Sequence, residues 1–106
     1  MTMAALPRPK PTVVLRRERR AAQAVLIRTV RAAVWRRDQG RCRVCGGRTR
    51  LQVHHVQFRS QGGPWTTANC ILICRDCHQD VHARILIVHG HDADTDGVTF
   101  ERQQWW

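Results

Sequence analysis

Four of the five cysteines fall into two Cys-x-x-Cys pairs, Cys42 with Cys45 and Cys74 with Cys77. Each pair can present two thiolates from one turn, and two such pairs can complete a tetrahedral zinc site. A redox dithiol, the alternative, usually needs only one such pair. We therefore predict a structural zinc bound by all four sulfurs, with no coordination position left for catalysis. The fifth cysteine, Cys70, lies in an apolar run and is expected to be a buried thiol.

Four of the six histidines lie in the stretch from His54 to His82. His78 and His82 are four residues apart, so on a helix they share one face and can bind one metal ion. His54 and His55 are adjacent, and adjacent strand residues point to opposite faces. One of them is expected to join the helix pair as a ligand and the other to act as a general base, which Asn69 could orient through its side chain or backbone carbonyl. A second structural zinc, or histidines that only cap and hydrogen-bond, is the alternative.

In their order along the chain, these residues resemble the HNH nuclease family. The resemblance covers residues 34–84 and is carried by Cys42-x-x-Cys45-Gly46, Leu51-Gln-Val-His54-His55-Val56, Gly62-Gly63, Asn69 and Cys74-x-x-Cys77-His78-x-x-x-His82. It implies a small α+β fold, the ββα-metal (His-Me) finger, in which two strands and a helix surround one catalytic divalent ion and a four-cysteine zinc staples the unit. Phe58 stands where many members have proline, which changes loop packing but removes no chemical group.

The resemblance also implies a role for each polar residue. His54, His78 and His82 would bind the catalytic ion, with His82 a ligand in some relatives; His55 would be the general base, and Asn69 would orient that base. The implied reaction is one-metal hydrolysis of a DNA phosphodiester bond. An all-imidazole shell is compatible with Mn²⁺, Ni²⁺, Co²⁺ or Zn²⁺, whereas Mg²⁺ prefers oxygen and is included because relatives with an aspartate use it.

Hydrophobic periodicity predicts the elements that position these residues. Residues 25–38 show an apolar stripe typical of a helix that ends before Gly40, with Trp35 expected as a core anchor. The expected elements that follow are strands at 51–56 and 69–73, a helix from 75 to about 84, and a strand at 85–88 paired with 98–100.

Charge is distributed unevenly along the chain, whose formal net charge is +10. Residues 1–50 hold 14 Lys and Arg against 2 acidic residues, a net +12, whereas residues 51–106 hold 4 against 6, a net −2. This asymmetry predicts a polyanionic partner, taken to be DNA, although a run of charge can also be only a solvated face. The arginines expected to contact DNA are Arg16, Arg17, Arg19, Arg20, Arg36 and Arg37.

The chain is expected to divide into two parts. Residues 1–24 are expected to form a basic N-terminal arm rich in proline and arginine, disordered over residues 1–12 and with helix as an alternative to disorder over residues 13–24. A basic helix and a nuclease domain follow over residues 25–106. No apolar run is long enough to span a membrane, and the N-terminus has no secretory signal. A cytoplasmic protein without membrane contact is therefore expected, in the host cytoplasm if the protein is phage-encoded.

The functional hypothesis is a metal-dependent DNA endonuclease. Short, basic, stand-alone HNH proteins are similar to phage nucleases that assist genome packaging, so by analogy packaging machinery is a candidate partner. The alternative is a non-catalytic zinc module that binds nucleic acid. A site-specific restriction or homing enzyme would need a sequence-reading element, and none is evident in the sequence.

Overall fold

The computed structural model describes residues 8–104. Within them lie two α-helices and four strands, in the order α1 (Thr12–Arg37), β1 (Leu51–His55), β2 (Cys70–Cys74), α2 (Arg75–His82), β3 (Leu86–Gly90) and β4 (Val98–Arg102). β1 pairs with β2 and β3 pairs with β4, each pair forming an antiparallel two-stranded sheet. The expected short strands and second helix are confirmed, and β1, β2 and α2 form the ββα unit.

Strand β2 is the buried centre of the fold, and its first four residues have no solvent exposure. Because side chains alternate along a strand, Cys70 and Leu72 share one face, where they pack against Val30 and Val34 of α1. Cys70 is thus the buried free thiol expected from the sequence, and burial raises its pKa. Trp35 is 43% exposed, so the expectation that it anchors the core is wrong; Val34 takes that place because it faces β2.

The opposite face of β2 packs against the elements that follow it. Ile71 contacts Val98 of β4, while Ile73 packs with Leu86 of β3 and with Cys77. Complete burial of each isoleucine contributes about 1.5–3 kcal/mol relative to an exposed side chain. The β3–β4 hairpin therefore covers the second face of β2 and completes a core around this strand.

Strand β1 separates its two histidines between the two faces of its sheet. Leu51 and Val53 pack against the cluster that α1 covers, and His55 follows them in the same alternation. His54, which lies opposite Ile71 in the register, points to the other face, on the side of α2. The expected separation of His54 and His55 is confirmed.

Helix α1 begins at Thr12, so residues 13–24, for which helix was one expectation, belong to the same helix as residues 25–37. Residues 12–24 contain no glycine or proline and are rich in arginine and alanine, which favour helix, so the helix extends back to Thr12, directly after Pro11. Residues 1–7 of the expected arm lie outside the described residues. Neither helix of residues 8–104 is both long and apolar enough to cross a membrane.

The carboxylate of Asp38 joins α1 to β2 and to the first cysteine pair. Its side chain is 1% exposed and accepts hydrogen bonds from Leu72 N, Arg43 Nη1 and Arg37 Nε, each 2.9 Å long. Burial alone would raise the pKa of Asp38, but the bonds from Arg37, Leu72 and Arg43 outweigh it and lower the pKa. A buried carboxylate satisfied in this way fixes the turn after Cys42 against β2.

Candidate metal centres and active site

The cysteine clasp consists of Cys42, Cys45, Cys74 and Cys77, whose sulfur atoms all lie within 4.8 Å of one another. The Sγ atoms of Cys45 and Cys74, one from each pair, are 3.7 Å apart. Four sulfurs bound tetrahedrally to zinc at about 2.3 Å would be about 3.8 Å apart. The four cysteines therefore suit a closed zinc site, as the sequence predicts.

Backbone amides around the clasp already point at its sulfur atoms. Val44 N donates to Cys42 Sγ, Gly47 N to Cys45 Sγ and Cys77 N to Cys74 Sγ, each at 3.4 Å. Burial raises the pKa of Cys42, but hydrogen bonds from backbone amides outweigh it and lower the pKa to about 7. The fold thus favours the thiolate at Cys42, which is the form that binds metal, whereas burial and hydrogen bonds with neighbouring cysteines raise the pKa values of Cys45 and Cys77.

The histidine cluster consists of His54 from β1 and the pair His78 and His82 from α2. The ring centroid of His54 lies 5.0 Å from that of His78 and 6.5 Å from that of His82. The Nε2 atoms of His78 and His82 are 3.0 Å apart, close to the about 3.3 Å expected for two imidazoles on one tetrahedral ion. The cluster is more open than the clasp. In residues 8–104, only the clasp brings three or more potential ligand atoms within 4.8 Å of one another.

Two of the three histidines, His54 and His78, are held in the neutral form that binds metal. His54 is only 5% exposed, and burial, reinforced by the nearby His78, His82 and His55, lowers its pKa to about 4. Burial and the neighbouring His82 also lower the pKa of His78. Because an unprotonated imidazole nitrogen is the ligand, these shifts leave a donor lone pair available at neutral pH.

His55 lies on the opposite face of β1 from the histidine cluster, yet it reaches the same cavity. Its ring meets Trp65 edge-on, with centroids 4.2 Å apart, and its Nε2 is buried without a hydrogen-bond partner in the described residues. Burial and the charge of Arg59 lower its pKa, so it is unprotonated at neutral pH. Together with the histidine cluster, His55 lines a cavity of about 380 Å³ at the end of β1.

Comparison with known proteins shows what this part of the chain is similar to. Residues 42–84, which include the clasp, the histidine cluster, His55 and Asn69, match the family model described as HNH endonuclease. Residues 42–84 therefore resemble an HNH endonuclease domain. It is also 37% identical over 62 residues to the type IV methyl-directed restriction enzyme EcoKMcrA of Escherichia coli K12, over 50% of this chain. The chain spans 22% of the length of that relative.

Within the matched residues, Asn69 holds the loop that follows His55 in place through hydrogen bonds. Its Oδ1 accepts from Gln57 N at 2.8 Å, and its Nδ2 donates to the carbonyl oxygens of Gln57 and Pro64, both at 3.1 Å. Its own carbonyl accepts from Val56 N at 2.7 Å. These bonds go to the loop backbone rather than to the His55 ring, so any orienting effect of Asn69 on His55 is indirect.

The same loop explains the Gly62-Gly63 pair of the HNH motif. Gly62 has a φ of +82°, a left-handed conformation that glycine adopts without strain. Gly63 packs so closely on the carbonyl of Gln57 that no Cβ would fit. The loop can therefore fold back over the end of β1 only with glycine at position 63, and glycine at position 62 avoids the backbone strain that a side chain would add.

Two aromatic residues beside the site were not assigned to it from the sequence. Phe58 stacks on His82, with centroids 6.2 Å apart and planes at 17°, and meets His54 edge-on at 5.8 Å. Trp65 lies against His55. The spacing of residues in the sequence could not identify either of them, because both lie in the loop between β1 and β2, whose path depends on tertiary contacts.

The six arginines expected to contact DNA are in different environments. Arg16, Arg17, Arg19, Arg20 and Arg36 are exposed along α1. Arg37 instead donates to Asp38, to Asp94 Oδ1 at 2.8 Å and to the carbonyl of Cys70 at 2.6 Å. Its guanidinium is committed to internal partners, so we assign Arg37 to the fold rather than to DNA.

Proposed function

We propose that the chain is a metal-dependent DNA endonuclease that hydrolyses phosphodiester bonds with one divalent ion and a histidine general base. The observation that carries this proposal is that the histidine cluster and His55 line one open cavity. A ligand set alone would fit a structural metal, and an isolated neutral histidine would fit a packing role. A ligand set and a candidate base beside the same cavity fit hydrolysis of a bound substrate.

Each side chain of the site has a distinct proposed task. His54, His78 and His82 would hold the ion, which when bound supplies a Lewis acid that stabilises charge on the phosphate and on the leaving oxygen. His55 would accept the proton of the attacking water, and it can do so because its lowered pKa leaves it neutral. Packing against Trp65 restrains the ring of His55 in the orientation that proton transfer requires.

The donor sets favour different metals at the two centres. Four sulfurs fill every position of a tetrahedral zinc, so the ion of the clasp would be structural. Three imidazoles leave positions for water and phosphate, and their softness favours Mn²⁺, Ni²⁺, Co²⁺ or Zn²⁺ over Mg²⁺.

The substrate we propose is DNA, bound through the basic face of α1. The exposed arginines Arg16, Arg17, Arg19 and Arg20 lie in the half of α1 that precedes its buried residues, Val30 and Val34. In residues 8–104 these four arginines have no salt-bridge partner. Free guanidinium groups along a projecting helix match the phosphates of a duplex.

The specificity of cleavage and the biological setting are also part of the proposal. The relative is named a methyl-directed restriction enzyme, but the shared part is a fraction of its length, so we propose for this chain weakly specific cleavage or cleavage directed by a partner. By analogy with HNH nucleases of phages, we propose a phage enzyme that works with packaging machinery. Such an enzyme would act in the cytoplasm of the bacterial host.

The decisive experiment is incubation of the purified chain with supercoiled plasmid and each of the five divalent ions, with a chelator as control. We expect nicking that depends on the added ion and is lost in His54→Ala, while His89→Ala, a variant at an exposed histidine outside the cluster, cuts normally. Normal DNA binding without cleavage under any ion would replace this proposal with the non-catalytic zinc module.

A further inference from the structure

Trp65 brings together two arginines that are distant in the sequence. The guanidinium carbon of Arg31, from α1, lies 5.5 Å from the centre of the indole ring, and that of Arg59, from the loop after β1, lies 5.8 Å from it. Both are within the range of cation–π attraction, which offsets part of the repulsion between two positive charges. The indole therefore holds two cationic groups at a defined place next to His55.

No acidic side chain in residues 8–104 neutralises either of these groups. The arginines that pair with carboxylates are others, namely Arg37, Arg43 and Arg102. Two guanidinium groups over one ring and without an anion form a binding site for one. The guanidinium fork matches the oxygens of a phosphate, and an aromatic ring beneath it keeps it pre-organised.

The position of the pair relative to β1 indicates which phosphate it would bind. Trp65 and His55 lie on the α1 face of β1, whereas His54 faces α2 with the rest of the histidine cluster. Arg59 nevertheless lines the same cavity as these histidines. A strand whose reacting phosphate lies at the histidine cluster would therefore pass the arginine pair with an adjacent phosphate.

We propose that Arg31 and Arg59, gathered over Trp65, bind a backbone phosphate of the DNA strand next to the phosphate that is cleaved. This site rests on the proposed endonuclease function and adds to it the position of the strand. It also links the basic helix to the active site, because Arg31 belongs to α1 and Arg59 to the loop that follows the candidate base.

The test measures duplex DNA binding without added catalytic ion, across a series of salt concentrations, for Arg31→Gln, Arg59→Gln and Arg48→Gln. Arg48 is exposed and lies outside the proposed sites, so its variant is a control matched in charge. Arg31→Gln and Arg59→Gln should each weaken binding roughly tenfold, and the variant that combines them should lose about 0.9 of the log–log salt slope, the value for the one phosphate that the pair neutralises. Arg48→Gln should change neither quantity, and Arg59→Lys should recover most of the affinity.

Two further measurements separate this site from simple attraction by charge. Trp65→Leu removes no charge but should weaken binding, whereas Trp65→Phe, which keeps an aromatic ring, should bind nearly as the parent does. In single-turnover cleavage, the protein concentration that gives half of the maximal rate should rise roughly tenfold in both arginine variants, because an adjacent phosphate contributes binding rather than chemistry. Circular dichroism and zinc content confirm that each variant is folded.

An unchanged salt slope in the variant that combines Arg31→Gln and Arg59→Gln would overturn the proposal. In Arg31→Gln, a fall in the saturated rate with unchanged affinity would also overturn it, because this arginine would then act on the phosphate that is cleaved. A parent that binds DNA but never cuts it would reject the endonuclease function alone, since the binding measurements need no cleavage.

Discussion

The cysteine clasp and the histidine cluster share helix α2 yet differ in how far they are closed. Cys77 lies in the first turn of α2 and is 3% exposed, while His78, the next residue, is turned towards the cavity. Four sulfurs converge from two turns in the clasp, whereas three imidazoles in the cluster leave one side open. Adjacent residues on one short helix thus serve a closed site and an open one.

The difference between the closed clasp and the open cluster shows how a small fold can fix the positions of the histidines in the cluster. The clasp fixes α2 to the turn after α1, and β2 leads directly into α2 through Cys74, so the helix has little freedom to move. That rigidity lets His78 and His82 remain close to His54 without being buried themselves. Under the proposed function, the closed site would stabilise the fold and the open site would be left for chemistry.

The largest expected effect is loss of the clasp. Cys45→Ser or Cys74→Ser should leave an unfolded or insoluble chain, because structural zinc contributes on the order of 10 kcal/mol to folding. Cys70→Ala is the matched control, because it removes a buried thiol outside the clasp and should cost about 1 kcal/mol. Zinc content and thermal unfolding measure both. A folded, zinc-free Cys74→Ser protein would contradict the structural role of the clasp.

The next effect concerns the ligands of the histidine cluster. His54→Ala and His78→Ala should keep the zinc of the clasp but lose the second ion and with it cleavage, and His82→Ala should lose part of the affinity. Titration calorimetry with Mn²⁺ or Ni²⁺ provides the measurement, with His89→Ala as a control that leaves both centres intact. Full metal affinity in His54→Ala together with its loss in His55→Ala would reverse the assignment of the two adjacent histidines.

His55→Ala should separate chemistry from metal binding. The variant should bind the second ion and DNA as the parent does, while cleavage falls roughly 10²- to 10⁴-fold, the usual effect of losing a positioned general base. Added imidazole should restore part of the rate, since it can occupy the space beside Trp65 and accept the proton. Unchanged cleavage in this variant would show that another group is the base.

A smaller effect is expected at Asn69. Asn69→Ala removes the bonds to Gln57 and Pro64, so the loop after His55 should loosen and the cleavage rate should fall about tenfold, with metal affinity retained. Asn69→Asp keeps the acceptor for Gln57 N but loses both donations, and it should fall between the alanine variant and the parent. A rate as low as that of His55→Ala would point instead to direct action on the base.

The smallest effect on the two metal centres should come from the projecting part of α1. Replacing Arg16, Arg17, Arg19 and Arg20 with glutamine should leave zinc content and second-ion affinity unchanged. DNA affinity should fall equally for all sequences, and the salt slope should decrease by about 0.9 for each phosphate that the variant no longer neutralises. Unchanged salt dependence would show that this part of the helix binds something other than DNA.

Sequence patterns alone predicted the parts of this protein that depend on short-range geometry. Two Cys-x-x-Cys pairs specify a four-sulfur cluster, because each turn fixes the position of its two sulfurs. The spacing of His78 and His82 places them on one helix face, and the alternation of β1 sends His54 and His55 to different faces. These relations hold because covalent geometry sets the periods of helix and strand.

The tertiary structure decided which distant residues meet, and here the sequence expectations were incomplete. In the sequence, Arg37 cannot be told apart from the other arginines of α1. In the structure, its guanidinium donates a hydrogen bond to Asp94, which lies 57 residues away. The partners of Asn69 and the place of Trp65 beside His55 depend on how the loop folds over the end of β1. No local period governs such contacts, because they follow from the packing of α1, the loop and the β3–β4 hairpin around the buried strand β2.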